Sequence, residues 1–137
     1  MKSTATAVWN GSLKEGAGYI NAQSTFFHKL PYTFNSRFGS GAGGTNPEEL
    51  IAAAHAGCYS MALSADLGKA GIIPESVETS SSVTLENGVI TSSHLVVKAR
   101  VPGVSKEVFE KIASETKFNC PVSKALNLEI SLEITLL

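Results

Sequence analysis

One long segment of the chain, from Leu50 to Ala65, is apolar on every side. Its sixteen residues include no Asp, Glu, Lys or Arg. Asn46 is a favourable N-cap before this segment, Pro47 suits the first helical position, and Glu49 follows three residues after the cap, as in a capping box. The pattern predicts a helix that ends near Gly68 to Gly71. A helix without a polar face must be covered all round, so we expect it at the centre of a domain.

Alternating apolar and polar residues on either side of this helix predict β-strands. The Asn87-Gly88 pair between two such segments is a strong signal for a tight hairpin. After Ser105, apolar residues at helical spacing predict a second helix, and Pro121 fits the first position of a short third one. The predicted strands are Thr4–Asn10, one or two within Gly16–Phe27, Ser76–Leu85, Val89–Val101 and Leu128–Leu136, and the two later helices are Lys106–Lys117 and Pro121–Leu126.

The order of these elements predicts an α+β fold in which antiparallel sheets surround the long central helix, in a single domain spanning residues 1–137. One small sheet and one amphipathic helix cannot cover a helix that is apolar on every side. Its uncovered face therefore predicts a partner, most simply a second copy of the chain, and hence a homodimer. The segment Pro31–Gly44, with its glycine-rich half Gly39–Gly44, predicts a flexible loop or a close approach of two backbones.

Composition excludes several classes of protein. The chain is 43% hydrophobic and 17% charged, and its net charge of −1 offers no basic surplus for binding nucleic acid. The first residues lack the apolar core of a signal peptide, and the central apolar segment is shorter than the ~18–20 residues of a membrane span. We therefore expect a cytoplasmic protein. The two cysteines form no C-x-x-C motif and have no paired histidines, so we expect no metal site, and the chemistry below requires no cofactor.

Cys58 lies in the middle of the long helix, where burial raises the pKa of a thiol. The helix macrodipole gives no help so far from the N-terminus, so an ionised Cys58 needs a nearby cation or base. Cys120, before Pro121 at a predicted helix start, is better placed to ionise, or else it fills space at a helix junction. The two cysteines are therefore either a working pair that forms a transient disulfide or two unrelated buried thiols.

Two residues offer the missing cation or base. His55 lies three residues before Cys58 on the same helix face, and Arg37 lies in an aromatic loop. Each also has a plainer interpretation, as a core histidine bonded to a backbone group and as a surface arginine. Glu49 suffices for the helix cap, which leaves Glu48 free to bind Arg37 through a bidentate pair. At ~1.5 Å per residue, Glu48 lies roughly 15 Å along the helix from Cys58. Arg37 would therefore reach either the Cys58 of a neighbouring chain or, by a fold of its loop, its own.

Three segments together resemble the OsmC branch of the OsmC/Ohr family, named for osmotically inducible protein C and for organic hydroperoxide resistance. They are Thr45–Leu63 (TNPEELIAAAHAGCYSMAL), Pro31–Phe38 (PYTFNSRF) and Asn119–Leu126 (NCPVSKAL). The similarity extends over nearly the whole chain, and His55 falls where the OsmC branch has a histidine. The resemblance implies a thiol-dependent hydroperoxide reductase that forms an intertwined homodimer, with its active sites at the subunit interface.

The resemblance also implies a role for each of four residues. Cys58 corresponds to the peroxidatic cysteine, Cys120 to the resolving cysteine, Arg37 to the arginine that activates the thiolate, and Glu48 to its carboxylate partner. The implied reaction reduces organic hydroperoxides, and hydrogen peroxide less well, through a sulfenic acid and an intramolecular disulfide. It serves defence against oxidative and osmotic stress. An external dithiol, of lipoyl type in the family, restores the enzyme.

The preference for organic substrates rests on apolar residues that also fit an ordinary core. They are Tyr59, Met61 and the Phe26-Phe27 pair. Two alternative functions remain open at this point. A thiol hydrolase would use Cys58 with His55 as its base. A ligand-binding dimer without enzymatic activity would need neither cysteine.

Overall fold

The computed structural model describes residues 1–137 and confirms the α+β class. The chain divides into two compact units, residues 1–50 and residues 51–137. The strands are β1 (Ala5–Asn10), β2 (Ala17–Ala22), β3 (Leu30–Thr33), β4 (Ser76–Glu86), β5 (Val89–Arg100) and β6 (Glu129–Leu136). The helices are α1 (Phe34–Phe38), α2 (Pro47–Lys69), α3 (Lys106–Asn119) and α4 (Pro121–Ala125). A helix that could span a membrane is not among these four.

The first unit contains an antiparallel sheet in the order β1-β2-β3, followed by the short helix α1. A capping box begins α1, because the Thr33 hydroxyl accepts from the Ser36 N–H and the Ser36 hydroxyl accepts from the Thr33 N–H. The prediction of a loop over Pro31–Gly44 is therefore wrong for its first half. The glycine-rich half does contain the expected close approach, since a Cβ on Gly44 would lie 2.5 Å from the carbonyl oxygen of Pro31.

Helix α2 begins and ends where the sequence predicts. Asn46 caps it, with its side-chain oxygen accepting from the backbone N–H of Glu49 at 2.8 Å, which is one half of the predicted capping box. Within the single chain, only one face of the helix is fully buried, at four-residue intervals: His55, Tyr59, Leu63 and Leu67. The opposite face is exposed, and its residues are Ala53, Ala54, Gly57, Met61, Ser64 and Ala65. What covers this face stays a prediction.

The second unit contains a sheet in the order β4-β5-β6. Strands β4 and β5 form the predicted hairpin, and Asn87 and Gly88 turn the chain with positive φ angles of 50° and 77°. The prediction of antiparallel sheets is wrong for the second pair, because β6 runs parallel to β5. The physical reason is the crossover: α3 and α4 return the chain to the starting end of β5 before β6 begins.

The core of the second unit forms where β5, α3 and α2 meet. The Tyr59 hydroxyl donates to the backbone carbonyl of Ala113 at 2.8 Å, so even the polar atom of this buried ring is satisfied. The buried residues are Tyr59, Leu63, Leu67, Leu95, Val97, Ala99, Val101, Phe109, Ala113 and Cys120, and Cys58 packs against them. One of the two thiols is thus a core residue and the other lies at the core's edge.

Candidate active site

The two cysteines, 62 positions apart in the sequence, lie in contact in the second unit. Cys120 donates an S–H···S hydrogen bond to Cys58, with 3.1 Å between the two sulfur atoms. Both are free thiols; Cys120 is fully buried, and Cys58 keeps partial exposure. Cys120 lies at the junction where α3 ends and α4 begins. The two sulfur atoms are thus close enough to form a disulfide bond directly.

The surroundings of Cys58 within this unit disfavour its ionisation. Burial raises the pKa of the thiol, and the hydrogen bond and charge of Cys120 raise it further. A hydrogen bond from the backbone N–H of Val122, in α4, acts in the opposite direction and lowers it. The net effect is a pKa above the usual value. A thiolate at Cys58 therefore requires an additional positive charge.

Arg37 and Glu48 form a bidentate ion pair in the first unit. The Arg37 Nη2 group donates to Glu48 Oε1 at 2.7 Å, and Nε lies 3.2 Å from both carboxylate oxygens. Burial alone would raise the pKa of Glu48, but hydrogen bonds from Arg37 and from its own backbone N–H, with the guanidinium charge, bring the pKa below its usual value. The guanidinium also lies 5.0 Å from the centre of the Phe38 ring. Glu48 is nearly buried while Arg37 keeps about a third of its side-chain exposure, at 34%.

His55 is fully buried and bonds to neither sulfur. Its Nδ1 atom lies 2.6 Å from the Ser93 hydroxyl, and its Nε2 atom lies 2.8 Å from the Ser123 hydroxyl. The core interpretation of this histidine is therefore right about burial and wrong about a backbone partner. Burial lowers its pKa, so the ring is neutral near pH 7. Because both ring nitrogens are occupied by serines, the geometry gives no support to a Cys58/His55 hydrolase.

Sequence reasoning missed both serine partners of His55. Ser93 did leave a signal, because it shares the inward face of β5 with Leu95, Val97 and Ala99 and is itself fully buried. A polar residue on an apolar face indicates a buried partner. Ser123 left no such signal, since α4 is only five residues long.

The apolar residues expected around the thiol are divided between the core against which Cys58 packs and the surface. Tyr59 belongs to the core, Met61 is 77% exposed and Phe26 is 93% exposed. An aromatic cavity of about 170 Å³ lies instead beside Arg37 in the first unit. Its lining includes Trp9, Leu13, Tyr32, Phe34 and Phe38. No group of three or more His, Cys, Asp or Glu side chains is arranged to bind a metal ion.

Comparisons with known proteins give a consistent result. A family model described as OsmC-like protein matches residues 39–135. The chain is 44% identical to peroxiredoxin OsmC of Escherichia coli K12 over 134 residues, which cover 95% of this chain and 93% of that protein. It is 34% identical to an organic hydroperoxide resistance protein of Xanthomonas axonopodis pv. citri over 102 residues, 72% of this chain and 70% of that protein.

Solved structures show the same fold at lower identity. The structure of an OsmC-like protein from Mycoplasma pneumoniae superposes with a TM-score of 0.77 at 16% identity, covering 100% of this chain and 98% of that one. An organic hydroperoxide resistance protein OsmC from Legionella pneumophila gives a TM-score of 0.73 at 24% identity, with 97% of each chain covered.

Proposed function

This chain belongs to the OsmC-like protein family, and on that premise we propose that it is a thiol-dependent peroxidase that reduces organic hydroperoxides to alcohols in defence against oxidative and osmotic stress. The observation that carries the proposal is the contact of 3.1 Å between the sulfur atoms of Cys58 and Cys120. Two thiols so close can exchange oxidising equivalents directly. A structural or ligand-binding role would not require such a contact.

In the first step, the Cys58 thiolate attacks the terminal oxygen of the hydroperoxide. The O–O bond breaks, an alkoxide leaves and takes a proton to become the alcohol, and Cys58 becomes a sulfenic acid. Arg37 is the proposed source of the positive charge that the Cys58 thiolate needs. Glu48 engages Nε and Nη2 of the guanidinium, which leaves Nη1 available to the peroxide.

In the second step, Cys120 attacks the sulfenic sulfur of Cys58. The S–O bond breaks, water leaves, and an intramolecular disulfide forms. An external dithiol then reduces the disulfide, and we propose a reductant of lipoyl type. The proposed location is the cytoplasm, where a reducing pool keeps such thiols available.

The preference for organic over inorganic peroxide is supported by the aromatic cavity beside Arg37. Its volume of about 170 Å³ suits a small alkyl or aryl group, and its walls include Trp9, Tyr32 and Phe34. An apolar group held there would place its peroxide end near a guanidinium. Hydrogen peroxide has no such group and would gain nothing from this cavity.

We further propose that residues 1–137 act as a single domain within an intertwined homodimer. The exposed face of α2, which includes Ala54, Gly57 and Met61, supports this part of the proposal. Small and apolar residues on one helix face allow the close approach of a second helix. A second copy on this face would make α2 the central helix of the assembly.

Anaerobic thiol counting tests the proposed cycle. The reduced protein is mixed with one equivalent of cumene hydroperoxide, and free thiols are counted under denaturing conditions. We expect two thiols to disappear per peroxide in the wild type. Cys120→Ser is expected to lose one thiol and to accumulate a sulfenic acid that dimedone traps.

The loss of one thiol or none in the wild type would contradict the cycle. Cys58→Ser serves as the control, because it retains Cys120 but lacks the proposed nucleophile and is expected to consume no peroxide.

A further inference from the structure

His55 lies at the centre of a buried chain of hydrogen bonds that joins four elements. From α2 it reaches Ser93 on β5 at 2.6 Å and Ser123 on α4 at 2.8 Å. Ser93 continues the chain to Ser81 on β4 at 2.9 Å. These two contacts occupy both nitrogen atoms of the ring, so it has no hydrogen-bonding atom left for another partner. None of the catalytic steps above uses this histidine.

The same two helices that share this hydrogen bond also share the sulfur contact. On α2, His55 precedes Cys58 by three residues, which is about one helical turn. At the start of α4, Ser123 follows Cys120 by three residues. The His55–Ser123 bond and the Cys58–Cys120 contact therefore run side by side between α2 and α4.

Helix α4 needs such an attachment, because it is too short to hold its own position. It has five residues, and its N-cap, Cys120, makes no side-chain capping bond. Isolated helices of this length are not stable in water. The Ser123 hydroxyl provides a polar side-chain link from α4 to α2 beside that of Cys120, and Ser123 is itself nearly buried, at 7% exposure.

Two groups carried by the start of α4 act on Cys58. One is the Cys120 sulfur, and the other is the backbone N–H of Val122. A shift of α4 relative to α2 would move both. A neutral imidazole donates from one nitrogen and accepts at the other, so neutral His55 can form both serine hydrogen bonds at once.

We propose that His55 is a positioning residue that holds α4, through Ser123, in the orientation that lets Cys120 attack the oxidised Cys58. This role rests on the proposed peroxidase function for its biological purpose. The step it serves is the attack of the Cys120 thiol on the Cys58 sulfenic acid, which forms the S–S bond and releases water. His55 transfers no proton to either sulfur and touches no substrate.

The alignment of the thiols is measurable without any peroxide. An aromatic disulfide reagent reacts first with Cys58, the more exposed thiol, and releases one coloured thionitrobenzoate. Cys120 then attacks the resulting mixed disulfide on Cys58, which forms the intramolecular disulfide and releases a second thionitrobenzoate. The first rate reports the reactivity of Cys58, and the second reports how well Cys120 is positioned.

We expect Ser123→Ala to slow the second release by about tenfold, since one buried hydrogen bond is lost. The first release is expected to stay within about twofold of the wild type, because Cys120 and the Val122 N–H act on the pKa of Cys58 in opposite directions and a shift of α4 weakens both effects. His55→Asn, whose shorter amide matches the Nδ1 position and cannot reach Ser123, is expected to behave like Ser123→Ala. His55→Gln places its amide at the Nε2 position and is expected to restore the second rate.

Ser60→Ala is the matched control. Ser60 also lies on α2 near Cys58, but its hydroxyl donates to Thr79 on β4 at 2.8 Å and not to α4. A second release at the wild-type rate in Ser123→Ala would overturn the proposal, and so would equal slowing in Ser60→Ala. If His55→Asn does not fold, Ser123→Ala decides the question alone.

The outcome is separable from that of the proposed function. If hydroperoxide fails to remove two thiols from the wild type, the peroxidase proposal fails, while the two thionitrobenzoate rates still test the role of His55. If both hold, dimedone is expected to trap several times more sulfenic acid in Ser123→Ala than in the wild type.

Discussion

Cys58 lies in surroundings that oppose its own ionisation. Burial and the neighbouring thiol raise its pKa, and one backbone N–H from Val122 only partly offsets them. A buried thiol in such surroundings is usually inert. Reactivity at this position therefore depends on a charge that its own helix does not supply, and Arg37 is the proposed source.

Arg37→Ala is the direct test of that dependence. We expect kcat/KM for cumene hydroperoxide to fall by about 100-fold, because charge that stabilises both the thiolate and the leaving oxygen is lost. The pKa of Cys58, measured from the pH dependence of iodoacetamide alkylation, is expected to rise. Arg100→Ala removes an exposed arginine and serves as the control, with unchanged kcat/KM. If the pH dependence of alkylation is unchanged in Arg37→Ala, Arg37 does not stabilise the Cys58 thiolate and the proposed role is wrong.

His55 makes a separate prediction about pH. Burial lowers its pKa below the usual value of 6.5, so the unfolded chain binds more protons than the folded one below that pH. The contribution of neutral His55 to the free energy of unfolding is then complete above pH 6.5. It is lost as the pH falls through the folded-state pKa of His55. We expect the urea midpoint to decrease between about pH 7 and about pH 5, and His55→Gln to flatten that decrease.

This pH range separates the titration of His55 from that of the acidic groups with shifted pKa values. Glu48 and Asp66 have lowered pKa values, and their contributions are lost only below their usual values of 4.5 and 3.8. His28→Asn, which replaces an exposed histidine, is the matched control and is expected to keep the wild-type slope. A His55→Gln protein with the same slope as the wild type would contradict the assignment.

Among the helices and strands, α1 is the element that orders Arg37. The Ser36 hydroxyl donates to the carbonyl of Thr45 at 2.7 Å, and the Asn46 amide donates to the carbonyl of Ser36 at 3.2 Å. Asn46 thus does two things, since its oxygen also caps α2 at Glu49. One side chain ties the helix that carries Arg37 to the start of the helix that carries Glu48.

Substitutions at Asn46 separate those two contributions. Asn46→Ala loses the cap and the link, and we expect the free energy of unfolding to fall by about 1–2 kcal/mol, with lower peroxidase activity. Asn46→Asp keeps the cap but cannot donate to Ser36, so we expect nearly normal stability with reduced activity. Urea unfolding and kcat/KM measure the two effects. Normal activity in Asn46→Asp would show that the link does not order Arg37.

The sequence predicted the elements that carry a strong local signal, including the short helix α4 that begins at Pro121, and missed those without one. Helix α2 and the β4–β5 hairpin carry strong signals in the cap at Asn46 and the turn at Asn87-Gly88. Helix α1 has five residues, too few for any periodicity, and only the Thr33 and Ser36 pair marked its start. The direction of β6 was not predictable from its own residues, because inward and outward alternation is the same in a parallel or an antiparallel pair.

In the candidate site, too, contacts between residues near in sequence were easier to predict than contacts between distant ones. The pairing of Arg37 with Glu48 follows from opposite charges near a helix start, so local sequence was informative. The Cys58–Cys120 contact joins residues 62 positions apart, and spacing alone left it open; the family resemblance supplied it. The serine partners of His55 depend on how α4 and β5 pack against α2, which no local pattern encodes.

For the whole molecule, the exposed face of α2 is the feature that supports the proposed homodimer. Met61→Glu places a carboxylate in the middle of that face. We expect the proposed homodimer to weaken by about 100-fold or more in sedimentation velocity, because a second helix would bury this charge without a partner. Val89→Glu makes the same change at the hairpin end, where the side chain is 58% exposed, and is expected to leave the dimer intact.

A monomeric wild type at micromolar concentration would contradict this prediction. So would equal dissociation in Val89→Glu, because the effect would then reflect added charge and not the face of α2.

The unequal exposure of the two sulfurs has a consequence for how electrons would enter the proposed Cys58–Cys120 disulfide. Cys120 is completely enclosed, whereas Cys58 keeps an accessible edge. A donor thiolate would therefore attack the Cys58 sulfur of this disulfide, and the sulfur that it displaces would be that of Cys120. The Cys58 sulfur would thus react first with the peroxide and later with the donor thiolate. The mixed disulfide with the donor would form on Cys58.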